Sequence, residues 1–276
     1  MKKLLGFSIF LVFVLIASLT AEAKVTLPAI FSDNMVLQQN TQVNVWGKAA
    51  PGEKVTVKAS WLDKPVTAKA AANGKWTVKL KTPKATTNQS VTVSGENEIT
   101  INNVLIGEVW LCTGQSNMEF PVSRHPDVKW NTGMLNEAEE LKDADYPEIR
   151  LFHVKHLLAH EGELDDCEGE WLVCNPKNLY DFSAVGFVFG RKLYKELKMP
   201  VGLIQSTWGG THAESWTKLD VMKKNPLYAD VLKDFALEGV KQQKNYCKVP
   251  ATLWNGMIHP ILGYTIKGNI WYQGES

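Results

Sequence analysis

Between residues 25 and 104, apolar and polar positions alternate in short runs: QVNVWG, EKVTVKAS, KWTVKL, SVTVSG and EITINNV. A period of two puts every second side chain on one face of an extended chain, so each run predicts a half-buried β-strand. Ala50-Pro51-Gly52, Asn73-Gly74 and Gly95 fall between the runs and supply turn chemistry. Short strands at this spacing predict a small all-β, sandwich-like module over residues 24–104. It offers no nucleophile beside a base, so its expected role is structural or in shaping a binding surface.

The pattern changes near residue 105. VLIGEVWLC is an almost unbroken apolar run, as expected of a strand buried on both faces of a parallel sheet. Residues 183–198, SAVGFVFGRKLYKELK, carry helical spacing and stop before Pro200. VGLIQST predicts a second buried strand, residues 217–240 a helix interrupted at Asn225-Pro226, and IKGNIWY a third strand. Strand, helix, strand, helix, strand predicts a doubly wound α/β domain over residues 105–276. Residues 121–180 predict loops and short helices.

In an open α/β sheet, chemistry gathers at the carboxyl ends of the strands. Each of the three strands ends in glycine and polar residues: Gly114-Gln115-Ser116-Asn117, Trp208-Gly209-Gly210-Thr211 and Gln273-Gly274-Glu275-Ser276. Ser116 is the candidate nucleophile, since a serine at a sharp strand exit exposes its hydroxyl. The G-x-S-x-G elbow is not met, because position 118 is Met, and a serine capping the next helix is the alternative. Gly209-Gly210 lets backbone N–H groups approach a substrate, or forms a tight turn. Gln273 offers a side-chain N–H to a developing oxyanion, or holds loops together as a buried amide. Gln115, Asn117 and Glu275 support these loops. Trp208, Trp216 and Trp271 lie near the strand tips and offer stacking surfaces for a sugar ring, with core packing expected of at least one.

The N-terminus has its own pattern. Lys2 and Lys3 precede an apolar stretch from Leu4 to Ile16, and Ala21-Glu22-Ala23 forms an A-x-A cleavage site. This is the layout of a secretory signal peptide over residues 1–23, and the stretch is short for a membrane span. The expected location is secreted or periplasmic, with no membrane association after cleavage. Cleavage removes Lys2, Lys3 and Glu22, which takes the formal net charge from +1 to neutral. A neutral chain without clustered positive charge is not expected to bind nucleic acid. The four cysteines, at 112, 167, 174 and 247, contain no C-x-x-C or His/Cys cluster, so no metal and no cofactor is implied. Cys167 and Cys174 are near enough in sequence to close a small loop; four free thiols are the alternative.

At GEVWLCTGQSNMEFPV the chain resembles the sialate O-acetylesterase family, within the SGNH (GDSL-like) hydrolases. LPAIFSDNMVLQQ, VNVWGKAAPGEKVTV, FSAVGFVFGRKL, VGLIQSTWGGTHAESW, LWNGMIHP and GNIWYQGES are also similar to that family, so the likeness runs from about residue 27 to the last residue. The resemblance implies a flavodoxin-like SGNH domain behind a β-rich module, and hydrolysis of acetyl esters on sugars, typically sialic acids. It implies Ser116 as nucleophile, Gly210 as an oxyanion N–H and Gln273 in the third block, where the wider superfamily more often has Asn.

The resemblance also implies a D-x-x-H motif near the C-terminus, which supplies the general base a serine hydroxyl needs. None of the six histidines has Asp three positions before it. His212, two residues past Gly210, is the weak candidate for a substitute, with His125 and His259 behind it. The sequence stops inside the W-Y-Q-G-E-S segment, so the expectation is the N-terminal part of a longer enzyme, inactive without its base. Two rivals remain at this level: an acetylxylan or other polysaccharide acetylesterase, and a non-catalytic carbohydrate-binding protein if Ser276 is the true end.

Overall fold

A computed structural model describes residues 24–124, 133–238 and 246–275. The expected signal peptide, His125 and Ser276 lie outside the described residues.

The N-terminal module is built from β1 (Val36–Gln38), β2 (Gln42–Lys48), β3 (Lys54–Ala59), β4 (Val66–Lys69), β5 (Lys75–Lys81), β6 (Thr86–Ser94) and the first half of β7 (Glu98–Gly114). β2 and β5 form a two-stranded antiparallel sheet. β4, β3, β6 and β7 follow in that order in a second sheet, with β1 parallel to β7. The alternation is realised: Val43, Val45, Trp76, Val78 and Leu80 point into one shared core with Val55, Val57, Val91 and Val93 of the second sheet. β1 and β4, too short to show a period, were not among the expected strands.

β7 continues without a break into the α/β domain, so the boundary expected at residues 104 and 105 falls within a strand. Its first half pairs antiparallel with β6, and its second half pairs parallel with β10 (Val201–Thr207) and β11 (Gly268–Tyr272). From Val104 to Val109 every residue is buried, which is why the sequence pattern changes there. The structure also places two strands in the stretch expected to hold loops and short helices. β8 (Tyr146–His153) runs parallel beside β10, and β9 (Trp171–Cys174) closes that edge antiparallel. Two short helices share the stretch, α2 (Glu137–Lys142) and α3 (Pro176–Leu179), and a third, α1 (Ser116–Glu119), precedes it.

The predicted helix at 183–198 is α4 (Ala184–Leu197). Ser183 caps its start by accepting the Gly186 N–H at 3.0 Å, and Lys198 ends it in a left-handed turn before Pro200. The interrupted helix is α5 (Leu219–Lys223) and α6 (Ala229–Glu238), parted by a 3₁₀ turn that Asn225 caps. At β7, β8 and β10 the sheet is covered on both faces, while β11, on the other side of β7, has no buried residue. Cys112, Ile149, Leu151 and Leu203 meet Phe187 of α4 on one side, while Val109, Phe152 and Ile204 meet Leu253, Met257 and the module core on the other.

All four cysteines are free. Cys167 lies in the core facing the module and Cys174 in the core facing α4, so the sheet separates the two thiols that are near in sequence. No described helix is long and apolar enough to cross a membrane.

Candidate active site

The carboxyl ends of three parallel strands meet in register. Gly114, the last residue of β7, is paired with Thr207 at the end of β10 on one side and with Tyr272 at the end of β11 on the other. Gly114 adopts φ +142°, and a Cβ there would lie 2.0 Å from the Tyr272 carbonyl oxygen. Only glycine lets β11 press this closely against the turn that follows. The chain order β7, β10, β11 and the spatial order β10-β7-β11 make this edge a topological switch point, where crevices open in α/β sheets.

Gln115 is buried. Its N–H donates to the Tyr272 carbonyl at 3.0 Å, and its own carbonyl accepts the N–H groups of Met118 and Glu119 at 2.9 Å each. Gln115 is therefore the cap of α1, and Ser116 is the first helical residue. The capping role open to Ser116 in the sequence is thus taken by its neighbour's backbone. Among the described residues, no hydrogen bond engages the Ser116 hydroxyl, its N–H, or the N–H of Gly210.

Ser116 opens into a cleft of about 580 Å³ lined also by Glu119, His156, Trp208, Gly209 and Gly210. Gly209 is so near the serine that a Cβ on it would lie 3.3 Å from the Ser116 Cβ. Gly210 has φ +71°, and nothing lies within 4 Å of where its Cβ would be. Its N–H belongs to the open rim of the cleft, whereas the Gly209 N–H donates to Glu119 Oε2.

The tip of β11 ties the other two together. Gln273 Nε2 donates to the Thr211 carbonyl at 2.8 Å, one residue past Gly210, while its Oε1 is buried with no partner among the described residues. Glu275 accepts from the Asn117 carboxamide, one residue past Ser116. Thr211 Oγ1 donates to the Trp208 carbonyl at 2.7 Å and accepts from Trp216 Nε1 at 2.9 Å. Trp216 is buried, Trp271 is 45% exposed with its ring edge-on to Trp216, and Trp208 is half-buried on the cleft wall.

Two cleft residues were not among the sequence candidates, Glu119 and His156. His156 lies three residues past β8, and its ring stacks on Trp208 with centroids 3.9 Å apart and planes 6° apart. Its Nε2 is 2.7 Å from Glu119 Oε1 and 3.0 Å from the Thr207 carbonyl oxygen. The spacing of Glu119 three residues after Ser116 on a helical turn was a usable signal, since i and i+3 share a face. His156 had none, because β8 was not legible. His212 and His259 do not line this cleft; His259 Nδ1 lies 2.8 Å from the Leu164 carbonyl oxygen and its Nε2 3.3 Å from Glu163. His153, at the end of β8, has its pKa pushed down, first by burial and then by the neighbouring His156. No group of described residues could hold a metal ion.

This arrangement, an α/β sheet with a β-module in front and a free serine at its switch point, matches a solved carbohydrate acetylesterase from Xanthomonas citri. The TM-score is 0.76 at 32% identity, covering 91% of this chain and 52% of that one. The fold is therefore that of the carbohydrate acetylesterases. The chain belongs to the family described as carbohydrate esterase, sialic acid-specific acetylesterase, whose model matches residues 106–276. Curated relatives include the mouse sialate O-acetylesterase, 33% identical over 288 residues (90% of this chain, 51% of the relative), and the human one, 34% identical over 266 residues (89% and 47%). The chain spans about half the length of the curated relatives it matches.

Proposed function

We propose that the protein is a carbohydrate esterase that removes O-acetyl groups from sialic acids or related acetylated sugars through a serine acyl-enzyme. The observation that carries this reading is the unengaged Ser116 hydroxyl in one cleft with the unengaged Gly210 N–H. The Ser116 oxygen attacks the acetyl carbonyl carbon and gives up its proton to a base. The carbonyl becomes an oxyanion held by the N–H groups of Ser116 and Gly210, with a third donor in the second N–H of the Gln273 carboxamide, whose first is on the Thr211 carbonyl. Collapse expels the sugar oxygen, which takes up the proton and leaves an acetyl ester on Ser116. A water, deprotonated by the same base, then releases acetate and restores the serine. We assign the base to the D-x-x-H motif implied by the resemblance and absent from residues 1–276. Of the three tryptophans at the strand tips, Trp208 and Trp271 are not buried and are the candidate sugar-stacking surfaces.

The test uses the full-length protein. Ser116→Ala is expected to lower acetate release from O-acetylated sialic acid by at least about 10³-fold, and near wild-type release would overturn the nucleophile assignment. Running acetylated xylan in parallel decides between the sialic acid and polysaccharide substrates; faster turnover of xylan would overturn the first. The free tips of the cleft support a catalytic reading over a purely binding one, and binding of either sugar without acetate release would reverse that order.

We further propose that residues 1–23 direct export and are removed, on the basic start, apolar stretch and A-x-A site. N-terminal sequencing of the exported protein should begin at Lys24; a sequence that retains Leu4–Ile16 would refute cleavage.

A further inference from the structure

We infer that Glu119 is a positioning residue for acyl transfer: its carboxylate spans the serine helix, the Gly209-Gly210 turn and His156, and sets the Gly210 N–H against the nucleophile. The inference rests on the proposed esterase reading and deepens it. Glu119 is the last residue of α1, which starts at Ser116, so any movement of Glu119 is a movement of the nucleophile's own helical turn. Both of its oxygens are committed. Oε2 accepts the Gly209 N–H, and Oε1 lies 2.7 Å from His156 Nε2. The carboxylate side chain is 18% exposed, so it works with little competition from water.

The consequence for the two glycines follows from hydrogen-bond bookkeeping. An N–H that already donates to a carboxylate is not available to an oxyanion. Glu119 therefore removes Gly209 from the set of donors and leaves Gly210 to face the cleft. Elsewhere the turn is held by the Trp208 N–H on the Gly114 carbonyl at 3.2 Å, by Thr211 Oγ1 on the Trp208 carbonyl, and at its far end by Gln273 Nε2 on the Thr211 carbonyl and Trp216 Nε1 on Thr211 Oγ1. Glu119 is the contact that joins this turn to the serine directly.

His156 completes the clamp. Its Nε2 faces two acceptors, Glu119 Oε1 and the Thr207 carbonyl, so that nitrogen carries a hydrogen. The ring is then pinned at its edge by those two oxygens and on its face by Trp208. This fixes the cleft wall, and with it the side from which a sugar approaches the serine.

The experiment compares wild type, Glu119→Ala, Glu119→Gln and Ser116→Ala in the full-length protein. Acetate release is normalised to active serines counted by titration with a fluorophosphonate. Glu119→Ala should lower kcat per titrated site about 10²-fold, the scale of a 1 Å misplacement, with KM within about threefold of wild type. Glu119→Gln keeps one carboxamide oxygen for the Gly209 N–H but cannot accept from His156 as well. It should recover about tenfold of that loss. A merely structural role would reduce the number of titratable sites and leave kcat per site unchanged, which would overturn the inference. A rise in kcat in either Glu119 variant would also overturn it, because the carboxylate would then be blocking the cleft. A loss confined to KM would do the same. Failure of the esterase reading is separate: it is seen as acetate release surviving in Ser116→Ala, whatever the Glu119 variants do.

Discussion

At the scale of single residues, the two neighbouring glycines after β10 do different work. A Cβ on Gly209 would lie 2.9 Å from Glu119 Oε2 and 3.3 Å from the Ser116 Cβ, so Gly209→Ala pushes on the nucleophile and on its clamp together. Gly210→Ala keeps its backbone N–H and meets open space, but must hold an alanine at φ +71°. That conformation costs about 1–2 kcal/mol for a residue with a Cβ. The expected ranking is therefore split by readout. Gly209→Ala lowers kcat by about 10²-fold. Gly210→Ala lowers kcat by less than about tenfold and shows its effect mainly as a lower Tm. Steady-state kinetics and thermal melts of the two variants check it, and the reverse order would show that Gly209 is not pressed against Ser116 and Glu119 and that the space beyond Gly210 is not open.

At the scale of elements, legibility followed how local the cause of each element was. α4 could be read within one residue at each end, because Ser183, its apolar spacing and Pro200 are all local signals. β7 and β10 and their polar tips were legible because burial on both faces leaves an unbroken apolar run, whereas β11 has no buried residue and was legible from the β-branched and aromatic residues of IKGNIWY alone. β8 was not, although four of its eight residues, Ile149 to Phe152, are buried. Pro147, Glu148 and Arg150 break its pattern. The buried Arg150 is tolerated because its Nε donates to the Pro147 carbonyl at 2.9 Å and its terminal nitrogens to Asn34 at 3.0 Å and to Asn103 at 3.3 Å. Burial depresses its pKa, with Glu148 opposing that shift. Asn34 lies in the module, 116 positions away in sequence, so nothing local announces the partner. The same reason hid half of the candidate site. Ser116, Gly209, Gly210 and Gln273 sit at the ends of legible strands. The Glu119–His156 contact depends on where the loop after β8 returns, and β8 itself was missed.

At the scale of the whole molecule, both faces of the sheet hold thiols that the fold keeps protonated. Cys112 and Cys174 lie under α4 and Cys167 under the module, and burial pushes each thiol up from its ordinary 9.0 to about 12. Because these acids bind protons more tightly in the folded state, their contribution to stability is complete below pH 9. It is lost as pH rises toward 12, where the unfolded chain gains by releasing protons that the fold retains. Between those limits each thiol lowers the unfolding free energy by up to about 1.4 kcal/mol per pH unit. The buried Tyr264 hydroxyl, also pushed up by burial, adds the same sign of effect only above its own ordinary value of 10.0. The interval from pH 9 to pH 10 therefore isolates the cysteines. Urea unfolding free energies should be level from pH 7.5 to 8.5 as far as thiols are concerned, then fall between pH 9 and 10. Cys174→Ala should make that fall shallower even though the cavity it leaves lowers stability at every pH. A wild-type curve that stays level from pH 9 to 10, or a Cys174→Ala curve with an unchanged slope, would mean that water reaches these thiols and that the sheet is not sealed on both sides.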